Sequence, residues 1–77
     1  MKIEAQIHGK KKIIDVPNIG SVITPKKKIM SDKNDPLPAG QSGLIIGYEN
    51  NGIEVVTKIR YLSYNYYIPV RELYSYV

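Results

Sequence analysis

The residues best suited to chemistry in this chain are cationic and aromatic. Lysine triplets stand at Lys10 to Lys12 and Lys26 to Lys28, and six of the seven tyrosines fall between Tyr61 and Tyr76. Basic groups interleaved with tyrosine rings can hold phosphates while a ring stacks on a base. The same rings suit a protein interface, where tyrosine is enriched. Residue types for catalysis are scarce. With no cysteine, thiolate nucleophiles, thiolate metal sites and disulfides are excluded. The single histidine, His8, adjoins a predicted turn, has no second histidine to complete a metal site, and reads as a solvated side chain. Asp32 and Asp35 share a loop but lack the ligand density of a calcium loop, and read as turn initiators before Lys33 and Pro36. Neither G-x-x-x-x-G-K-S/T nor G-x-G-x-x-G occurs, and no helix is predicted after Gly40-Gln41-Ser42-Gly43 to make it a phosphate cradle. The expectation is a binder rather than an enzyme, with no catalytic residue, no metal and no cofactor.

Size sets the frame for any binding surface. The 77 residues allow one domain with a small core. A chain this short buries only about 60 % of its unfolded surface, so packing and hydrogen bonding must supply a marginal stability. The net charge of +4 permits attraction to nucleic acid or to an acidic protein surface. No apolar run approaches the roughly 18 residues of a membrane span. No run of signal-peptide length follows Met1-Lys2-Ile3-Glu4. A soluble, cytoplasmic protein with no membrane partner is expected.

The elements that must position these side chains read as short antiparallel strands, because apolar residues alternate between turn signals. Ile53, Val55, Thr57, Ile59 and Tyr61 share an inward face, with Glu54, Val56, Lys58, Arg60 and Leu62 outward. Asn51-Gly52 predicts a tight hairpin turn. That register sets Tyr48 against Val55, Ile46 against Thr57 and Leu44 against Ile59, with Glu49 opposite Glu54. A second turn at Tyr64-Asn65 pairs Tyr61 with Ile68 and Ile59 with Val70, leaving Leu62 beside Tyr67 outside. Pro69 limits this strand to a short or edge position. Arg71 to Leu73 predicts one 3₁₀ turn, and Tyr74 to Val77 a last short strand. At the N-terminus, a turn centred on Gly9-Lys10 pairs Ala5 with Ile14 and Ile3 with Val16. Ser21 to Met30 reads as a strand broken near Pro25. Ser31 to Gly40 is the longest irregular stretch, stiffened by its prolines. Two readings of it stay open, a functional loop or a rigid wrap whose Leu37 covers the open end of the sheet.

Three segments carry a resemblance: Gly20-Ser21-Val22-Ile23, Asp35-Pro36-Leu37-Pro38-Ala39-Gly40-Gln41-Ser42-Gly43-Leu44-Ile45, and Tyr67-Ile68-Pro69-Val70-Arg71-Glu72-Leu73. In that order they resemble SH3-like small β-barrels, namely KOW-type domains and small phage and bacterial domains of this fold. The resemblance spans Gly20 to Val77 and implies an all-β barrel of about five antiparallel strands. The N-terminal segment, residues 1–16, then reads as an added hairpin that covers a sheet edge. Fold-level likeness constrains function weakly, so two readings stand. One is a protein-interaction accessory or inhibitor protein, and the lysine-, isoleucine-, asparagine- and tyrosine-rich composition suggests an AT-rich phage or mobile-element source. The other, implied by the KOW resemblance, is RNA or DNA binding. The candidate partner-binding residues are Lys26, Lys27, Lys28, Lys58, Arg60, Leu62, Tyr64 and Tyr67. Self-association through the N-terminal hairpin is a variant.

Overall fold

Alternating apolar residues do build an all-β molecule. The structure, a computed structural model, describes residues 1–7 and 9–77. Strands β1 (Lys2–Ile7) and β2 (Lys10–Asp15) form a separate antiparallel hairpin. Strands β3 (Val22–Ile23), β4 (Gly43–Asn50), β5 (Val55–Tyr61) and β6 (Tyr64–Pro69) form one antiparallel sheet in sequence order, which curls into a half-barrel. A 3₁₀ turn, Val70–Glu72, follows as expected. The expected last strand is instead a helical turn, α1 (Leu73–Tyr76), so the curled sheet has four strands rather than five. Continuing the 3₁₀ turn into a helical one sinks Leu73 fully into the core. Closure then rests on one hydrogen bond, from the Lys26 amide to the Tyr76 carbonyl, instead of a ladder.

The main core gathers Ile23, Ile45, Ile59, Tyr66, Ile68 and Leu73 under Ile29 and Leu37. Ile29 and Leu37 exchange two backbone hydrogen bonds of 2.9 Å, which fold the proline-stiffened stretch over the sheet. Leu37 is fully buried, as a rigid wrap requires. Beside this core, Ala5 and Val16 of the hairpin segment pack on Val55 and Val70. The hairpin segment therefore packs on the sheet through its apolar face, and among the described residues its strands pair only with each other.

Register shifts separate what alternation can fix from what it cannot. In the first hairpin Ile3 lies opposite Ile14 and Ala5 opposite Lys12, two residues from the expected pairing. Side chains alternate with period two, so an even slip keeps every side chain on its expected face. The β5–β6 hairpin slips by four. Its turn is Leu62-Ser63, with Tyr61 opposite Tyr64, Ile59 opposite Tyr66 and Thr57 opposite Ile68. The earlier turn admits six paired positions, at the cost of a positive φ (+56°) at Leu62. Between β4 and β5 the change is odd. Asn51 Oδ1 accepts the amides of Ile53 and Glu54, which opens the loop beyond the two-residue turn. A bulge at Ile46 then absorbs a residue. Ile45 replaces Leu44 opposite Ile59, and Ile53 is left exposed in the loop. Gly43 shares the inward side with Ile45, and a Cβ there would lie 2.5 Å from Ile59 Cγ2. The like-charge pair expected at Glu49 and Glu54 does not form. Glu49 binds Lys58 at 3.2 Å and Glu54 binds Arg71 at 2.8 Å.

Candidate binding site

Three of the expected contact residues meet on the outer face of the sheet. Lys58 lies opposite Tyr67, and Arg60 lies opposite Asn65 on one side and Leu44 on the other. Leu62 is not beside Tyr67; it occupies the turn, 74 % exposed. Tyr64 opens β6 and is exposed. The Lys26 to Lys28 run is exposed between β3 and Ile29. The contacts it makes lead to the C-terminal turn: the Lys27 ammonium stands 4.4 Å from the centre of the Tyr76 ring, a cation–π distance. The Lys58 ammonium is paired with Glu49, so part of the outer face is already neutralised. His8 lies outside the described residues.

A concave feature lies beside this face. A cleft of about 400 Å³ separates Met30, Ser31, Asp32 and Lys33 on one wall from Asn65 and Tyr67 on the other. Its loop wall is held from three directions. Below, the Ile29–Leu37 bridge anchors both ends. Within it, Ser31 Oγ accepts the amides of Lys33 and Asn34 at 3.3 and 3.2 Å, a local turn that fixes the tip. Across it, the buried Tyr66 hydroxyl donates to the Asp35 carbonyl at 2.7 Å and ties the loop to β6. Burial, with Asp35 nearby, pushes the Tyr66 phenol pKa above its ordinary value and keeps that donor protonated.

The strand wall contributes an acceptor. Asn65 Oδ1 is buried and has no hydrogen-bond partner among the described residues. Such an atom costs about 1–3 kcal/mol unless a donor reaches it. Met30 is 65 % exposed across the cleft, and Tyr67 is 47 % exposed. Apolar surface, one unmet acceptor and charges at Asp32 and Lys33 equip the cleft to hold an amide-bearing ligand. Among the described residues, no three metal-ligating side chains cluster.

Met30, Ser31, Lys33 and Asn65 were not singled out as contact residues by the sequence. Asn65 carried a turn signal, and Asp32 read as a turn initiator. One signal was available: Met30 is an apolar residue placed directly after the core-forming Ile29 at the mouth of a polar loop. No family model, curated protein or solved structure matches the chain.

Proposed function

We propose that this protein is a non-enzymatic binding module that receives a segment of a protein partner in the cleft between Met30–Lys33 and Asn65–Tyr67. The observation that carries the reading is the cleft, lined by the exposed side chains of Met30 and Tyr67 and by Asn65, whose Oδ1 is buried without a partner among the described residues. A peptide amide satisfies that acceptor, while Met30 and Tyr67 bury apolar ligand surface. The SH3-like resemblance supports this reading, because such barrels often bind peptides through aromatic residues beside the long loop, whereas its KOW-type part implies nucleic acid. Small size and basic, tyrosine-rich composition fit an accessory or inhibitor protein of a phage or mobile element. Nucleic acid is the weaker reading. Lys58 is committed to Glu49, and that carboxylate faces any phosphate approaching the sheet.

Panning a random dodecapeptide display library on the immobilised protein tests the proposal. Enrichment is expected on the wild-type chain and its loss on Met30→Arg, an exposed substitution that plugs the cleft. The absence of enrichment overturns the proposal. So does salt-dependent binding of single-stranded RNA or duplex DNA weakened by Arg60→Ala or Lys28→Ala.

A further inference from the structure

We infer that the cleft takes its ligand as an added β-strand on the free edge of β6, an inference that rests on the peptide-binding reading above. The hydrogen-bonding phase of β6 follows from its turn. Tyr61 and Tyr64 flank the two-residue Leu62-Ser63 connection, the position at which facing residues exchange both backbone hydrogen bonds. The pattern then alternates. Tyr64, Tyr66 and Ile68 bond to β5, and the backbone groups of Asn65 and Tyr67 point away from it. Outside the strand ladder, no backbone hydrogen bond to the amide or carbonyl of Asn65 or Tyr67 occurs among the described residues. These same two residues form the strand wall of the cleft. The cleft therefore runs along a row of unmet donors and acceptors.

The two edges of the sheet differ in how they are protected. β3 contributes only two residues to its edge. β6 contributes six, Tyr-Asn-Tyr-Tyr-Ile-Pro, without one charged side chain. Natural edges are ordinarily blunted by charge, brevity or a cover. Here Pro69 stops one end, and the rest of the edge is fronted only by a loop that leaves an open slot. Asn65 Oδ1 adds a side-chain acceptor at the same place.

The loop wall decides the occupant. A second copy of this chain would bring its own β6 flanked by its own residues 30–35, so two walled edges would have to meet, whereas a single extended segment brings no wall. The ligand is thus a single strand of a partner protein. Alternate residues of it bond to Asn65 and Tyr67, in the manner of strand addition. Lys33, Arg60 and the cleft's own Asp32 carry no ion pair among the described residues, so cations outnumber the one carboxylate there, and the chain has a net charge of +4. Acidic side chains flanking an uncharged centre fit that field better than basic ones.

The test uses a peptide enriched on the full chain, resynthesised with single backbone N-methyl groups. Methylation at one parity is expected to weaken binding about tenfold per site, and at the other parity hardly at all. The Asn65 and Tyr67 amides are expected to become protected from hydrogen exchange. Tyr67→Pro removes an edge-facing donor without touching the β5 ladder; it is expected to bind about tenfold more weakly than Tyr67→Ala. If Tyr67→Pro does not fold, the N-methyl series decides alone. Uniform tolerance of N-methylation, with the peptide still in the cleft, overturns strand addition and leaves the peptide-binding reading standing. A concentration-dependent dimer with protected Asn65 and Tyr67 amides, and no peptide enrichment, overturns both.

Discussion

The two faces of the four-stranded sheet each hold one polar atom without a partner, and their settings differ. On the inner face Thr57 is fully buried, and its hydroxyl meets no acceptor or donor among the described residues. On the outer face Asn65 Oδ1 is equally shielded but borders an open cleft. Both atoms carry a desolvation cost of about 1–3 kcal/mol. Only the outer one can be relieved by a ligand. An unmet polar group sealed in a core is a stability defect; one beside a slot is a reason for a partner to bind.

That contrast breaks first at the inner face, where the largest effects are expected. Leu37→Ala empties the side chain that closes the core and should cost about 2–5 kcal/mol in chemical denaturation. A loss below about 1 kcal/mol would show that the residue 31–40 loop does not seal the sheet. Gly43→Ala places a Cβ against Ile59 and should cost about 1–3 kcal/mol. Thr57→Val sharpens the comparison directly. It removes the sealed hydroxyl at nearly constant shape and should raise stability by about 1 kcal/mol. A destabilisation would mean that Thr57 has a partner after all.

How far the sequence foretold these faces depends on parity. Val55, Thr57 and Ile59 read as inward and are buried, whereas Val56, read as outward, is buried as well, so β5 alternates cleanly only from Thr57 onward. The misplaced turns at the N-terminus and at Leu62 did no harm to the faces, since both slips are even. Leu44 and Ile46 failed because one bulged residue reverses parity, and no side-chain type announces a bulge. The strand expected at Tyr74 to Val77 failed for lack of length: four residues support a period of 2.0 or 3.6 equally well. The cleft was illegible for a different reason. Its walls are roughly thirty residues apart in sequence, and they meet through tertiary contacts: the Ile29–Leu37 bridge folds the loop, and the Tyr66 hydroxyl ties it to β6 through the Asp35 carbonyl. Lys58, Arg60 and Tyr67 were placed on one face correctly, whereas the lysine triplet lies against the C-terminal turn.

Two tyrosines give the inner face a pH signature. Burial, with Tyr74 adding to it, pushes the Tyr48 phenol up to about 12, and its hydroxyl donates to the Pro17 carbonyl at 2.6 Å. Tyr66 is raised for the same chief reason. In the unfolded chain both ionise near 10. Between pH 10 and 12 the unfolded state therefore releases protons that the folded state keeps, so stability must fall with rising pH. The contribution is intact below pH 10 and lost as the pH passes through the folded-state values. Denaturation midpoints measured from pH 8 to 12 should drop over that window, and Tyr66→Phe should flatten the drop. A flat profile in the wild-type chain would remove these two phenols from the account of the core.

The smallest expected effect on stability tests the outer face. Asn65 makes no side-chain hydrogen bond among the described residues, so Asn65→Ala deletes an unmet acceptor and breaks no hydrogen bond. Relief of the unmet acceptor is offset by the lost packing of a half-buried side chain, so its stability change should stay within about 0.5 kcal/mol. Peptide binding, by contrast, should weaken about tenfold, the effect of losing one buried hydrogen bond. The two readouts must separate for the comparison of faces to hold. If Asn65→Ala lowers stability by more than about 1 kcal/mol, the residue is a structural element of β6 and the cleft loses its clearest sign of a ligand. If stability is unchanged and binding is unchanged too, the acceptor is met by water in the free and bound protein alike, and recognition rests on the β6 backbone edge alone.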